Sequence, residues 1–227
     1  MMSFDLFFPA LHAIQNGIWL TVLITLTSFA VGQIVALPLA LALVSPSKPL
    51  RYCASTYTFL VRGSPLLVQL FIVYFGLGQV EAIRESFLWP VLRSALYCSI
   101  LTIGLNSAAY TSEVIAGAIR QLPKGQFEAA SALGLKKSVS LLKVVLPQVY
   151  RSILPAIGNE LVLVMKGSTL ASAVTVMEMT GAARVFVART YAPFETFMIA
   201  GAIYLIMGAI FGRIIRSIEN RVAIPGR

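Results

Sequence analysis

Residues 18–44 run for 27 positions without one charged side chain. About 20 apolar residues carry a helix across a bilayer, so this stretch alone restricts the chain to membrane architectures. It exceeds the minimum and is expected to tilt or extend past the interface, with Pro38 inside it as a candidate kink. Four further runs follow, at about 57–78, 95–118, 153–173 and 197–215. The composition agrees. Only 12% of residues are charged and mean hydropathy is +0.84, against about 25% charged residues in soluble domains. The expected fold class is an all-α integral membrane protein with five transmembrane helices, one domain over residues 1–227, and a cytosolic loop at about 119–150 before the fourth span.

The connections carry the charge. If the 119–151 segment is inside, thirteen Lys and Arg side chains fall in inside segments and four (Arg84, Arg93, Arg184, Arg189) outside, with Lys166 inside a run. The positive-inside rule then puts the N-terminus outside and the C-terminus in the cytoplasm. The net charge of +9 belongs to these loops, so nucleic acid is not expected as a partner; the lipid bilayer is. The N-terminus has Asp5 and no basic residue before Lys48, so no signal peptide is expected. Cys53 and Cys98 fit no metal or redox spacing, and no metal or cofactor is expected. His12 reads as a surface residue. Residues 6–15 are expected to form a short helix on the membrane surface, and residues 176–189 a short helix in the last connector.

The third and fourth runs are polar for their position. The third holds Asn106, Ser107, Tyr110, Thr111 and Glu113 beside Ala108 and Ala109; the fourth holds Asn159, Glu160, Lys166, Gly167, Ser168 and Thr169. Small residues let helices approach and polar ones bond between them, so both helices are expected inside a bundle or along a pathway. A charge at mid-bilayer costs about 2.5–3.5 kcal/mol on insertion scales. Glu113, Glu160 and Lys166 therefore either meet a solute or pair with other groups, Glu113 with a loop arginine such as Arg120 or Arg151. Glu160 and Lys166, six apart, do not share a helix face. Asn106 and Asn159 read as interhelical bonds or pathway groups. Arg62 is expected to snorkel or to pin the second helix, and the aromatics of 71–75 to pack in the bundle. Gly201, Gly208 and Gly212 are candidate close-packing positions on the fifth run. No internal repeat stands out, which argues against a transporter of two matched halves in one chain.

Between the third and fourth runs lies PKGQFEAASALGLKKSVSLLKVVLP, residues 123–147. It reads as two short helices. The first, 126–133, is bounded by Pro123 and Gly125 and closed by Gly134 in the left-handed conformation. The second, 136–146, is expected to stop at Pro147, with Leu141, Leu142 and Val145 packed on the membrane helices.

The spacing Glu128-Ala129-Ala130, then Gly134, then Pro147 resembles the EAA motif of membrane subunits of bacterial ABC importers. Arg62-Gly63-Ser64-Pro65-Leu66-Leu67-Val68-Gln69 with Tyr74-Phe75-Gly76-Leu77, Ala109-Tyr110-Thr111-Ser112-Glu113, Pro123-Lys124-Gly125-Gln126 and Lys166-Gly167-Ser168-Thr169-Leu170 resemble its polar-amino-acid subfamily, near the permeases for histidine, basic amino acids and opines. The resemblance covers about residues 12–220. Ala116 stands where many relatives have Arg, Ser64 where Thr is commoner, and Gly167 where Asp or His is frequent; these bear on the solute rather than the subfamily.

The resemblance implies a transport subunit, not an enzyme. It implies a cytosolic ATPase dimer, a second homologous permease subunit or a copy of this chain, and a periplasmic solute-binding protein as partners. The chain has no G-x-x-x-x-G-K-[ST] phosphate loop, so the ATPase must be separate. Gly125, Glu128, Ala129, Ala130, Gly134 and Pro147 are the expected coupling residues: small side chains let a helix enter a cleft, and Glu128 suits the positive end of its helix. Asn106, Glu113, Glu160, Lys166, Ser168 and Thr169 are the expected solute-path candidates. Two other readings stay open, an ATP-independent secondary transporter or channel subunit, and a sensory or structural membrane protein whose loop binds some other partner.

Overall fold

The computed structural model describes residues 6–222, and these form helices joined by short turns, with no strand among them. In chain order they are α1 (Phe7–Gln15), α2 (Ile18–Leu43), α3 (Lys48–Gly63), α4 (Leu66–Phe71), two single turns α5 (Glu81–Arg84) and α6 (Trp89–Leu92), α7 (Ala95–Gln121), α8 (Lys124–Ala132), α9 (Lys137–Ser140), α10 (Leu146–Ser168), α11 (Met179–Thr190) and α12 (Pro193–Val222). Two helical stretches, Phe7–Leu43 and Pro193–Arg221, are long and apolar enough to cross a membrane; the number rises to four if each of two bent helix pairs is one span.

α7 is the centre of the bundle. It packs most extensively on α2, then on α10, with α3 and α4 along its side. The α2–α7 crossing is close because it is built from glycine: a Cβ on Gly104 would lie 2.9 Å from the Ser28 carbonyl, and one on Gly32 would lie 3.0 Å from Ser107 Oγ. α12 meets α10 through Gly158, which faces Ile215, whereas Gly201 of α12 has nothing within 4 Å of a Cβ. Gly208 of α12 also faces α10, a Cβ there lying 3.4 Å from Met165 Cε, so the contact uses a glycine from each run and the tighter one is on the fourth.

α1 does not lie free. Ala10 and Ile14 are fully buried in a cluster with Met179, Ala183, Ile199 and Ala200, and a Cβ on Gly17 would collide with the backbone of Glu178 and Met179. The helix docks on α11 and α12, burying the apolar stripe that would otherwise seek the membrane surface. Phe71 and Phe75 stack on each other at 5.6 Å but remain substantially exposed, so they lie on the bundle's outside; only Tyr74 of that group joins the core.

The second run is broken. α3 and the segment Leu66–Gln79 meet at 105°. Pro65 cannot donate a backbone hydrogen bond and forces Ser64 into extended backbone, φ −115° and ψ 148°. The fourth run behaves in the opposite way. Lys137–Val174 is one continuous helical stretch, so the helix expected to stop at Pro147 passes through it. A π turn at Leu141–Val145 widens the helix just before the proline, which removes the clash its ring would make with the preceding turn.

Candidate functional site

The loop between α7 and α10 is built as a projecting arm. α8 starts after Pro123, so Gly125 lies within its first turn rather than ahead of it. The helix ends as its sequence dictates: Gly134 takes φ +68°, its N–H reaches Ser131 O at 3.0 Å, and Leu135 N–H reaches Ala130 O at 3.0 Å. This paired closure is the Schellman arrangement, and a side chain at Gly134 would strain it. Ala130 is the buried residue of α8; Glu128, Ala129 and Gly125 are exposed, as are Phe127 and Leu133. Val145 is buried and Leu141 packs on the core, but Leu142 is 63% exposed, because the π turn rotates it off the packed face. Pro147 is exposed.

A cavity of about 270 Å³ opens between α7 and α10. From α7 it is lined by Ile103, Asn106, Ser107 and Tyr110, and from α10 by Glu160, Leu163, Val164 and Gly167. Both sets follow the i, i+3, i+4, i+7 spacing of one helix face. That period was readable in the sequence and would have added Ser107, Tyr110 and Gly167 to the candidates. The wall is mainly apolar with a carboxylate, an amide and hydroxyls placed in it, which is the usual make-up of a small-solute site.

The other candidates lie elsewhere. Lys166 is exposed on a different face of α10. The Ser168 hydroxyl is buried and donates to Met165 O at 2.7 Å, and that of Thr169 donates to Lys166 O at 2.7 Å. Glu113 pairs with Arg62 at 3.5 Å and accepts from Thr58 Oγ1 at 3.0 Å. Neither Arg120 nor Arg151 is its partner; Arg120 reaches over to the carbonyl of Leu43, which it caps at the end of α2.

Arg62 and Gln69 hold the broken second run to α7. The Arg62 guanidinium sits 5.5 Å above the Tyr110 ring. The break frees carbonyls at the end of α3 that must find donors in an apolar setting. Ser64 Oγ donates to Leu60 O at 2.8 Å, Gln69 Nε2 to Val61 O at 2.7 Å and to Ser64 O at 3.1 Å, and Tyr110 Oη to Arg62 O at 3.4 Å. Asn106 Nδ2 donates to Gln69 Oε1 at 3.1 Å. Asn106 is therefore both an interhelical bond and a cavity group.

An all-helical apolar bundle, with an exposed arm on one connection and a cavity holding a few polar groups among its helices, has the architecture of a membrane transport subunit. The chain belongs to the family of binding-protein-dependent transport system inner membrane components, whose model matches residues 29–224. It is 42% identical over 220 residues to the octopine transport system permease protein of Rhizobium meliloti, covering 96% of this chain and 90% of that one. It is 39% identical over 212 residues to the arginine ABC transporter permease protein of Haemophilus influenzae, covering 93% of each. Among solved structures it is similar to an amino acid ABC transporter crystallised with histidines, with a TM-score of 0.84, 31% identity and 97% of this chain covered. The relatives are permease subunits, so the chain is the membrane component and not the ATPase of such a system.

Proposed function

We propose that this chain forms part of the inner-membrane path by which a polar or basic amino acid, or an opine, is imported. The observation that carries this reading is the convergence of Glu160, Asn106 and Tyr110 on one cavity of about 270 Å³, below or near the low end of the roughly 300–1,000 Å³ typical of drug-sized ligands. Glu160 suits the ammonium or guanidinium of such a solute, and Asn106 its carboxylate. The names of the relatives, octopine and arginine permeases, support the same class.

In this reading residues 1–227 are one domain with five crossings: α2, the bent α3–α4 pair, α7, α10 and α12. α7 has 27 residues, about 40 Å of helix, and its lower hydropathy follows from the polar groups it turns inward. The Lys and Arg of the α2–α3, α7–α10 and C-terminal segments support a cytoplasmic side for those ends and a periplasmic N-terminus. A periplasmic binding protein delivers solute to a path formed with a second permease subunit, homologous or identical.

The exposed α8 is the element that a cytosolic ATPase dimer grips, through Gly125, Glu128 and Ala129, while buried Ala130 seats the helix on its own arm and Gly134 closes it. The continuous helix Lys137–Val174 then carries the motion past Pro147 to Glu160 and Gly167. Closure of the ATPases moves the α10 wall of the cavity against the α7 wall, giving alternating access. Replacement of Glu128 or Gly134 is expected to leave insertion intact while separating ATP hydrolysis from uptake in reconstituted vesicles; full uptake by both variants would overturn the coupling role.

A further inference from the structure

The bend between α3 and α4 is tied to the cavity by two of the cavity's own residues. Asn106 holds Gln69, and Gln69 in turn caps Val61 and Ser64 at the end of α3. Tyr110 caps the carbonyl of Arg62 and lies beneath its guanidinium, while Arg62 pairs with Glu113 one turn further along α7. Leu66, the first residue after the break, also lines the cavity. The two helices meeting at 105° are thus held by side chains that a solute in the cavity would touch.

We propose that Gln69 is a positioning residue that couples occupancy of the cavity to the angle between α3 and α4. This rests on the reading of the cavity as a solute site. A solute carboxylate that engages both N–H groups of the Asn106 amide turns it toward the cavity and out of line with Gln69 Oε1. Gln69 then loses its fixed position and with it the caps on Val61 and Ser64. These carbonyls terminate α3, so the break becomes free to open or swing, and the Arg62–Glu113 pair follows because Arg62 sits in the same turn. An empty cavity keeps the clasp closed. The Gln69 carboxamide suits this role because it donates to one element while accepting from another, which a carboxylate or an apolar side chain cannot do.

The test uses the assembled transporter in proteoliposomes, with its ATPase and binding protein. The probe is whichever of arginine, histidine, octopine and nopaline the wild-type complex takes up fastest. Gln69→Leu is expected to raise ATP hydrolysed per solute imported by about tenfold, within the span of known coupling effects, with the KM for loaded binding protein unchanged. Gln69→Glu, which keeps the acceptor but lacks the donor, is expected to show the same defect. Tyr110→Phe, which deletes only the hydroxyl at Arg62 O, shifts the ratio in the same direction by less and serves if Gln69→Leu does not assemble. A second readout is the distance between spin labels at Cys53 and at Val80→Cys, in a Cys98→Ala background. It changes with probe in the parent protein and is broad and probe-independent in Gln69→Leu. A wild-type coupling ratio and a probe-dependent distance in Gln69→Leu overturn the clasp. If that occurs while Glu160→Gln still abolishes uptake, the cavity reading survives; if Glu160→Gln and Asn106→Ala both import normally, the cavity reading itself falls.

Discussion

Tyr204 of α12 donates a 2.7 Å hydrogen bond to the carboxylate of Glu178, the capping residue of α11. Glu178 is fully buried and also accepts from the backbone N–H groups of Thr180 and Gly181, at 2.9 Å each. Thr21 of α2 donates to Gly17 O at 3.0 Å, accepts from Met179 N at 3.1 Å and stands 3.5 Å from Glu178 Oε2. The carboxylate thereby joins α11 to α12, and the Met179 N–H bond to Thr21 ties α2 beside it. Tyr204→Phe leaves that buried oxygen short of a donor and is expected to cost about 1.5–3 kcal/mol, the range for bonds to charged groups. Glu178→Ala, which uncaps α11 as well, is expected to cost more. Thermal unfolding of the purified protein in detergent checks both, and a Tyr204→Phe protein as stable as the parent would show that the bond carries no stability.

The α2–α7 crossing gives a second expectation. A Cβ at Gly104 meets the backbone of Ser28 at 2.9 Å, and backbone cannot yield as a flexible side chain can. Gly104→Ala is expected to lower stability by about 1–3 kcal/mol, as overpacking does. Gly117, on the same helix, has nothing within 4 Å of a Cβ, so Gly117→Ala is the matched control and is expected to be neutral or slightly stabilising. Equal melting temperatures for the two variants would contradict the crossing as described.

Much of this was legible beforehand for identifiable reasons. The uncharged run at 18–44 and the glycine closing α8 are local statements, and local physics settles them: α2 ends at Leu43, and Gly134 takes the left-handed backbone. Long-range pairing was not legible in the same way. Glu113 could be assigned to a nearby arginine on its own helix end, but it meets Arg62, 51 positions earlier, because the Ser64-Pro65 break folds the end of α3 against α7. The helix runs through Pro147 against the proline rule because that rule describes α geometry, and the π turn escapes it. The cavity is half visible in the sequence: Asn106 and Glu160 are path candidates as polar groups in apolar runs, while Ser107, Tyr110 and Gly167 of the same runs join them only when the helix period is read across two elements. Gln69 lay in a recognisable motif, but its role depends on carbonyls that exist as orphans only once the bend is known.

The Arg62–Glu113 contact supplies a charge-reversal experiment. The side chains are 43% and 29% exposed, so solvent screens the pair and a coupling of only about 0.2–1 kcal/mol is expected from a double-mutant cycle. Its orientation should matter more than its strength. Glu113→Arg brings two cations together and also removes the acceptor for Thr58, and Arg62→Glu brings two carboxylates together beside the Tyr110 ring. Each single reversal is expected to lower uptake, and the double reversal to recover part of it. Recovery stays incomplete because the reversed pair loses the stacking of Arg62 on Tyr110. A double variant no better than the worse single one would show that the ion pair does not hold α3 to α7.

Gly167 offers the most direct probe of the cavity, because the space beside it is open. A Cβ there would lie 3.4 Å from Leu66 Cδ2 and 3.9 Å from Ile103 Cγ2, ordinary contact distances. Gly167→Ala should therefore assemble with nearly unchanged melting temperature, whereas Gly167→Asp, which sets a second carboxylate in the cavity of Glu160, is expected to assemble but to melt lower. Asp adds a carboxylate to a cavity of about 270 Å³ that already contains Glu160. Two carboxylates in a weakly hydrated cleft repel an anionic group more strongly than they would in water. Uptake of octopine, which carries a second carboxylate, is expected to fall further than uptake of arginine, since the guanidinium common to both meets the new carboxylate alike. Gly167→Ala, which adds volume and no charge, should reduce both alike. Competition between the two solutes for import checks the ratio, and an octopine-to-arginine preference unchanged by Gly167→Asp would place the selective step away from this cavity.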